Sequence, residues 1–169
     1  MLQQTIEITD HEHNPIDSIE DVLNAHDWTF ERLSEDELSV EVNGRQGRYF
    51  LYLVWQDARA TLQFYCRYDL EIAPHNLKSA HEALARINQG LWMGHFEIAA
   101  SAPSPTFRHA SLLRGLSGGP LHAMIEDMID VSMAQCERSY PAFHLLASSA
   151  NDVDVQHMAL ALMETAGES

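Results

Sequence analysis

A chain of 169 residues, 46% apolar and 21% charged, has the size and composition of one globular domain able to bury roughly 70% of its extended surface. Its 25 acids against ten bases give a net charge of −15, unevenly spread: residues 1–47 carry −10, residues 48–100 are neutral and residues 101–169 carry −5. With so few bases, and none clustered, nucleic acid and anionic membrane surfaces are excluded as expected partners.

Residues 1–13 are polar and acidic without periodicity and read as a flexible arm. Asn14-Pro15 then marks a helix start, Asn as N-cap and Pro at the first helical position, where its missing N–H costs nothing. Ile16, Ile19 and Leu23 recur at helical spacing behind it. From Trp28 the period falls towards two. Trp28 and Phe30 open a strand, Ser34–Glu37 form an acidic turn, and Leu38, Val40 and Val42 alternate with polar residues in a second strand. Asn43-Gly44 and Gly47 reverse the chain into RYFLYLVWQDARATLQFYCRYD, residues 48–69, two apolar runs separated by a polar turn. Strands arriving in succession without intervening helices predict an antiparallel meander.

The chemistry of this hairpin fixes its parity. If Gln56–Arg59 form the reversal, Trp55 faces Ala60, Leu53 faces Leu62, Leu51 faces Phe64 and Tyr49 faces Cys66, all on one wholly apolar side. A slip by one residue would bury Gln63 and Tyr65 against leucines, so the even register wins. The other side carries Phe50, Tyr52, Val54 and Tyr65 among Arg48, Arg59, Thr61, Gln63 and Arg67, an amphipathic surface.

Pro74 opens a second helix with Leu77, Ala80, Leu84, Ile87 and Leu91 on one stripe, and Gly90 is its stop. Trp92 is expected to wedge this helix against the sheet. Phe96, Ile98 and Ala100 form a strand that Pro103 and Pro105 break, and Phe107 to Leu113 return as another. Gly118-Gly119-Pro120 launch a third helix bearing Leu121, Met124, Ile125, Met128 and Ile129, which Pro141 is expected to kink or end. Val153 to Met163 read as a short final helix after a Ser/Asn/Asp linker. The domain is thus 14–147, with linker and C-terminal helix in 148–169.

The phrases INQGLWMGHFEI (87–98), the hairpin, and CERSYPAF (136–143) resemble the YbjN family, described as bacterial sensory-transduction regulators, over about residues 14–145. The resemblance implies an α+β fold similar to the type III secretion chaperones: a curved antiparallel sheet of five to six strands with helices mainly on one face, in the order α-β-β-β-β-α-β-β-α, often paired into dimers. It carries over no catalytic residue. Residues 146–169 match no phrase of the family.

Several arrangements of reactive residues need weighing. GLSGG, residues 115–119, satisfies the G-x-S-x-G of a nucleophile elbow, and Ser117, Asp152 or Asp154, and His157 stand in a permitted order. That elbow works on a parallel sheet with an oxyanion loop, whereas this chain builds antiparallel hairpins; glycines for a turn and a serine near a helix cap explain the same letters. His11 and His13 in the arm, and His75 and His81 six residues apart, make poor metal sites. His95 is expected to be a hydrogen-bonded, partly buried side chain. No metal, cofactor or catalytic residue is expected.

The longest apolar run, Tyr49 to Trp55, is far short of the ~20 residues that span a bilayer, and MLQQTIEITD lacks the pattern of a secretory signal. Cys66 and Cys136 read as reduced buried thiols, so the expected location is the cytoplasm. The expected function is a non-enzymatic regulatory or chaperone-like module, a homodimer that binds a protein partner through Phe50, Tyr52, Val54 and Tyr65 flanked by Arg48 and Arg67. The alternatives are a serine hydrolase using Ser117 and a small-ligand sensor with a pocket between sheet and helices.

Overall fold

The structure, a computed structural model, describes residues 14–156 and 158. The acidic arm assigned to 1–13 lies outside the described residues, as does most of the final helix assigned to 153–163, of which residues 155, 156 and 158 are helical. The elements run α1 (Pro15–Ala25), β1 (Phe30–Ser34), β2 (Glu37–Asn43), β3 (Arg48–Gln56), β4 (Thr61–Tyr68), α2 (Leu77–Gln89), β5 (His95–Ala99), β6 (Ala102–Leu112) and α3 (Gly118–Ser148). This is the expected α+β order. Six antiparallel strands form one sheet in the order β1-β2-β3-β4-β6-β5.

Asn14 caps α1 as its residue type demands, its side-chain oxygen accepting from the Ile16 N–H at 2.9 Å. The same amide donates to the Glu35 carbonyl at 3.0 Å and the Asp36 carboxylate at 2.9 Å, which fastens the helix start to the β1–β2 turn. α1 packs on α3, α3 lies over β4 and β6, and α2 lies over β5, so the helices form one layer.

One sheet face is the floor of that layer. Leu38 and Val40 of β2, Tyr49, Leu51, Leu53 and Trp55 of β3, and Leu62, Phe64, Cys66 and Tyr68 of β4 are all buried, and the alternate residues are not. The parity read from the hairpin is therefore correct, but its register needs correction. Trp55 pairs with Leu62, Leu53 with Phe64, Leu51 with Cys66 and Tyr49 with Tyr68, a displacement of two residues along β4. Parity is indifferent to even shifts. The turn settles the register: Asp57–Arg59 form a 3-10 turn and buried Ala60 takes φ +49°, its N–H donating to Asp57 and its carbonyl accepting from the Leu113 N–H.

Tyr68 is the hub beneath α3. Its ring meets Tyr49 and Phe143 edge-on at 5.2 Å, and its hydroxyl donates to the Cys136 carbonyl at 2.7 Å. Burial pushes the Tyr68 hydroxyl and the Cys136 thiol well above their ordinary pKa values, so both stay protonated, and both cysteines are buried and free.

The prolines behave differently from expectation, for reasons the tertiary structure supplies. α3 is 31 residues long and contains Pro141, which does not end it. The carbonyl that Pro141 leaves without its helical donor is that of Glu137, and the Gln46 side chain, from the β2–β3 turn, donates to it at 3.2 Å. Pro103 and Pro105 lie inside β6 rather than ending it. Beyond Arg67↔Thr106 the β4–β6 ladder has stopped, and the Pro103 carbonyl faces that vacated side, accepting from the Ile72 N–H at 2.9 Å. The missing proline N–H groups thus cost no ladder bond.

Two side chains, Trp92 and His95, also depart from expectation. Trp92 is 76% exposed and wedges nothing, because the chain has already left α2 at Gly90 and turns outward. His95 is exposed on edge strand β5. Of the α3 methionines, Met128 is buried, while Met124 and Met133 are partly buried, the latter with its sulfur 4.0 Å from that of Cys66.

After α3 the chain returns across the start of α2. Buried Asn76 donates to the Leu146 carbonyl at 3.1 Å and accepts from the Val153 N–H at 2.9 Å, and Val153, Val155 and Met158 are buried.

A Cβ at Gly47 would sit 2.2 Å from the Tyr140 ring. Gly47→Ala should therefore cost about 1–3 kcal/mol by overpacking, and Tyr68→Phe about 1 kcal/mol for its hydrogen bond, both read as shifts of the urea midpoint. Burial lowers the His109 pKa from its ordinary 6.5. Its neutral form is favoured in the fold, so this contribution is complete above pH 6.5 and is lost as pH falls towards the lower folded value. His109→Gln should flatten the stability profile below pH 6.5.

Candidate partner-binding face

The sheet face turned away from the helices is built by the residues that alternate with the core. Across it run cross-strand rows: Glu41–Phe50–Arg67–Thr106, Ser39–Tyr52–Tyr65–Arg108, and Glu37–Val54–Gln63–Ala110. Phe50, Tyr52, Val54 and Tyr65 are half-buried, each shielded by its neighbours in the sheet. The structure brings together all six residues singled out from the sequence.

Phe50 lies between two guanidinium groups, the Arg67 carbon 4.8 Å and the Arg48 carbon 5.3 Å from its ring centroid. Arg48 is held by carboxylates, Asp69 at 2.6 Å and Glu41 at 3.1 Å, and the Asp69 hydrogen bond leads in raising its pKa. Arg67 is held differently. Its one polar contact among the described residues is the Tyr52 hydroxyl at 3.5 Å, the outer limit of a hydrogen bond, and it meets no carboxylate there. Tyr65 donates to Gln63, accepts from Arg108 at 3.2 Å, and lies under that guanidinium at 4.8 Å. Glu97 completes the cluster, binding Arg108 at 3.1 Å and raising its pKa through that hydrogen bond.

Arg108 and Glu97 are the members that sequence reasoning missed. The alternation of β5 and β6 puts them on this face, but only the placement of β6 beside β4 sets Arg108 across from Tyr65. The surface is an open depression of about 620 Å³ bounded by Leu33, Glu37, Val54, Tyr65, Arg67 and Glu97; a second, of about 340 Å³, lies beside Phe30, Phe50 and Tyr52.

Residues 15–145 match the model of a family, YbjN, whose description is "putative bacterial sensory transduction regulator". The chain belongs to the YbjN family. Among solved structures, the crystal structure of YbjN from E. coli, described as a "putative transcription regulator", is similar over 75% of this chain and 93% of its own, with a TM-score of 0.54 and 13% identity. At that identity the likeness shows the YbjN fold alone. No curated protein matches the sequence.

The other candidates of this YbjN-family chain fare less well. Ser117 is exposed at the N-cap of α3, its hydroxyl makes no capping bond, and it is hydrogen-bonded to no histidine among the described residues; His157 lies outside them. Gly115 and Gly118 adopt φ +74° and +57°, so left-handed backbone accounts for two of the three glycines of GLSGG. No group of three metal-ligating side chains gathers among the described residues, and His11 and His13 lie outside them. Among the described residues no helix is long and apolar enough to cross a membrane.

Adjacent residues on β3 should respond very differently to truncation. Leu51→Ala, on the core face, should cost about 2–5 kcal/mol, and Phe50→Ala less than about half as much, by chemical denaturation of the two variants.

Proposed function

We propose that the chain is a non-catalytic regulatory module that works by docking a protein on the outer sheet face, and that it does so in the cytoplasm as a homodimer. The observation that carries this reading is the surface of Phe50, Tyr52, Val54 and Tyr65, which no helix covers among the described residues. Aromatic side chains combining apolar area with a polar tip are the usual currency of protein interfaces, and a contiguous patch of them on an acidic protein favours an occupant over water. Arg67, with its guanidinium free of carboxylates among the described residues, supplies a point for a partner's acid, and the twelve acids against two bases in residues 1–47 of a sister chain offer many. The family description, a regulator of sensory transduction, accords with a protein that acts through contacts rather than turnover. Buried free thiols accord with a reducing compartment.

The test is the double variant Tyr52→Asp/Tyr65→Asp. Charges placed in the middle of the patch should halve the mass seen by light scattering and abolish capture of bound protein from native lysate, with the thermal midpoint little changed. Unchanged mass together with unchanged capture would remove the assignment.

A further inference from the structure

In the helical layer, away from the sheet's open face, the last turn of α2 and the middle of α3 part to leave a cleft of about 160 Å³. One wall is Gln135, Arg138 and Ser139, spaced three and four apart and so on one face of α3. The other wall is Arg86, with Ile87 and Leu91 as an apolar floor. Two of the chain's ten bases converge here, and none of the residues lining the cleft is acidic.

Ser139 and Arg138 of this cleft lack hydrogen-bond and ion-pair partners among the described residues. Ser139 is only 3% exposed, lines the cleft, and its hydroxyl makes no hydrogen bond among the described residues, which leaves it available to a ligand there. Arg138 meets no carboxylate there either. Arg86 meets Glu82 at 3.1 Å one turn back on its own helix, with both side chains about half exposed. Such a pair is worth under about 1 kcal/mol and yields readily to a better acceptor. The C-terminus of α2 brings roughly half an elementary negative charge to the same place, which two guanidinium groups outweigh.

We propose that this cleft binds a phosphomonoester. The guanidinium forks of Arg86 and Arg138 match phosphate oxygens in pairs, and the Ser139 hydroxyl and Gln135 amide add donors for which a monocarboxylate has too few oxygens. Ile87 and Leu91 receive the first atoms of the organic substituent. The cleft is smaller than the roughly 300 Å³ of an ordinary ligand pocket, so it takes a headgroup and its immediate attachment, not an extended molecule. This site is separate from the sheet face and does not depend on the docking role assigned there.

Isothermal titration of the full chain with phenyl phosphate, inorganic phosphate and benzoate tests the proposal. Phenyl phosphate should saturate a single site, inorganic phosphate should bind several-fold more weakly, and benzoate should give no saturable heat. Arg138→Gln, at an exposed position, should weaken phenyl phosphate about tenfold, the scale of one lost charge-assisted hydrogen bond. A Cβ at Gly90 meets nothing nearer than the Ile87 carbonyl at 3.6 Å, so Gly90→Phe should fill the cleft and abolish binding at an unchanged thermal midpoint. The proposal is overturned by no saturable binding of phenyl phosphate, by affinity unchanged in Arg138→Gln or in a folded Gly90→Phe, or by benzoate binding as tightly as phenyl phosphate.

Discussion

The pairing of β3 with β4 is the constraint on which the rest of the molecule depends. Strand side chains alternate strictly, so once Leu51, Leu53, Leu62 and Phe64 turn inward, Phe50, Tyr52, Val54 and Tyr65 have no choice but to turn outward. The core and the candidate interface are therefore two sides of one decision. Burying a leucine or phenylalanine contributes about 1.5–3 kcal/mol each, and the ladder has several, so no outward preference of a half-buried aromatic can reverse it. The outer aromatics stay where they are because the inner ones are content.

That surface is partly ordered before any partner arrives. Arg48 is fixed by Asp69 and Glu41, Arg108 by Glu97 and Tyr65, and the two guanidinium groups flanking Phe50 restrict its ring. Preorganised side chains lose less entropy on association, which favours recognition by a surface of modest area. Arg67 meets no carboxylate among the described residues, which makes it an adaptable element of the patch.

Much of this was legible in the sequence, and the failures share a cause. Helix starts at Asn14-Pro15 and Gly118, the meander, and the two faces of the hairpin follow from capping, turn chemistry and period. What failed were judgments that needed a distant partner. Pro141 reads as a helix kink or end, and that it does not end α3 depends on Gln46 supplying the donor that the Glu137 carbonyl lacks; Pro103 and Pro105 read as strand breakers until the β4 ladder stops short of them. The register slipped by two because apolar matching cannot detect an even shift, and Ala60 gives no hint that it adopts a left-handed turn that glycine would announce. Arg108 and Glu97 escaped because strand order is not written in local pattern.

The insertion of β6 between β4 and β5 carries a consequence for how the chain assembles. β1 to β4 close by short reversals, each within reach of its neighbour as the chain collapses, whereas β6 meets β4 only after residues 69–101 have been looped out. Closing a loop of that length costs about 2 kcal/mol more than closing a tight hairpin. Loop closure therefore favours collapse of the four-stranded half first, with β5 and β6 joining it as a ribbon. Until that ribbon docks, β4 presents a bare edge of hydrogen-bonding groups, which is the moment in the protein's life when association with the wrong strand is cheapest.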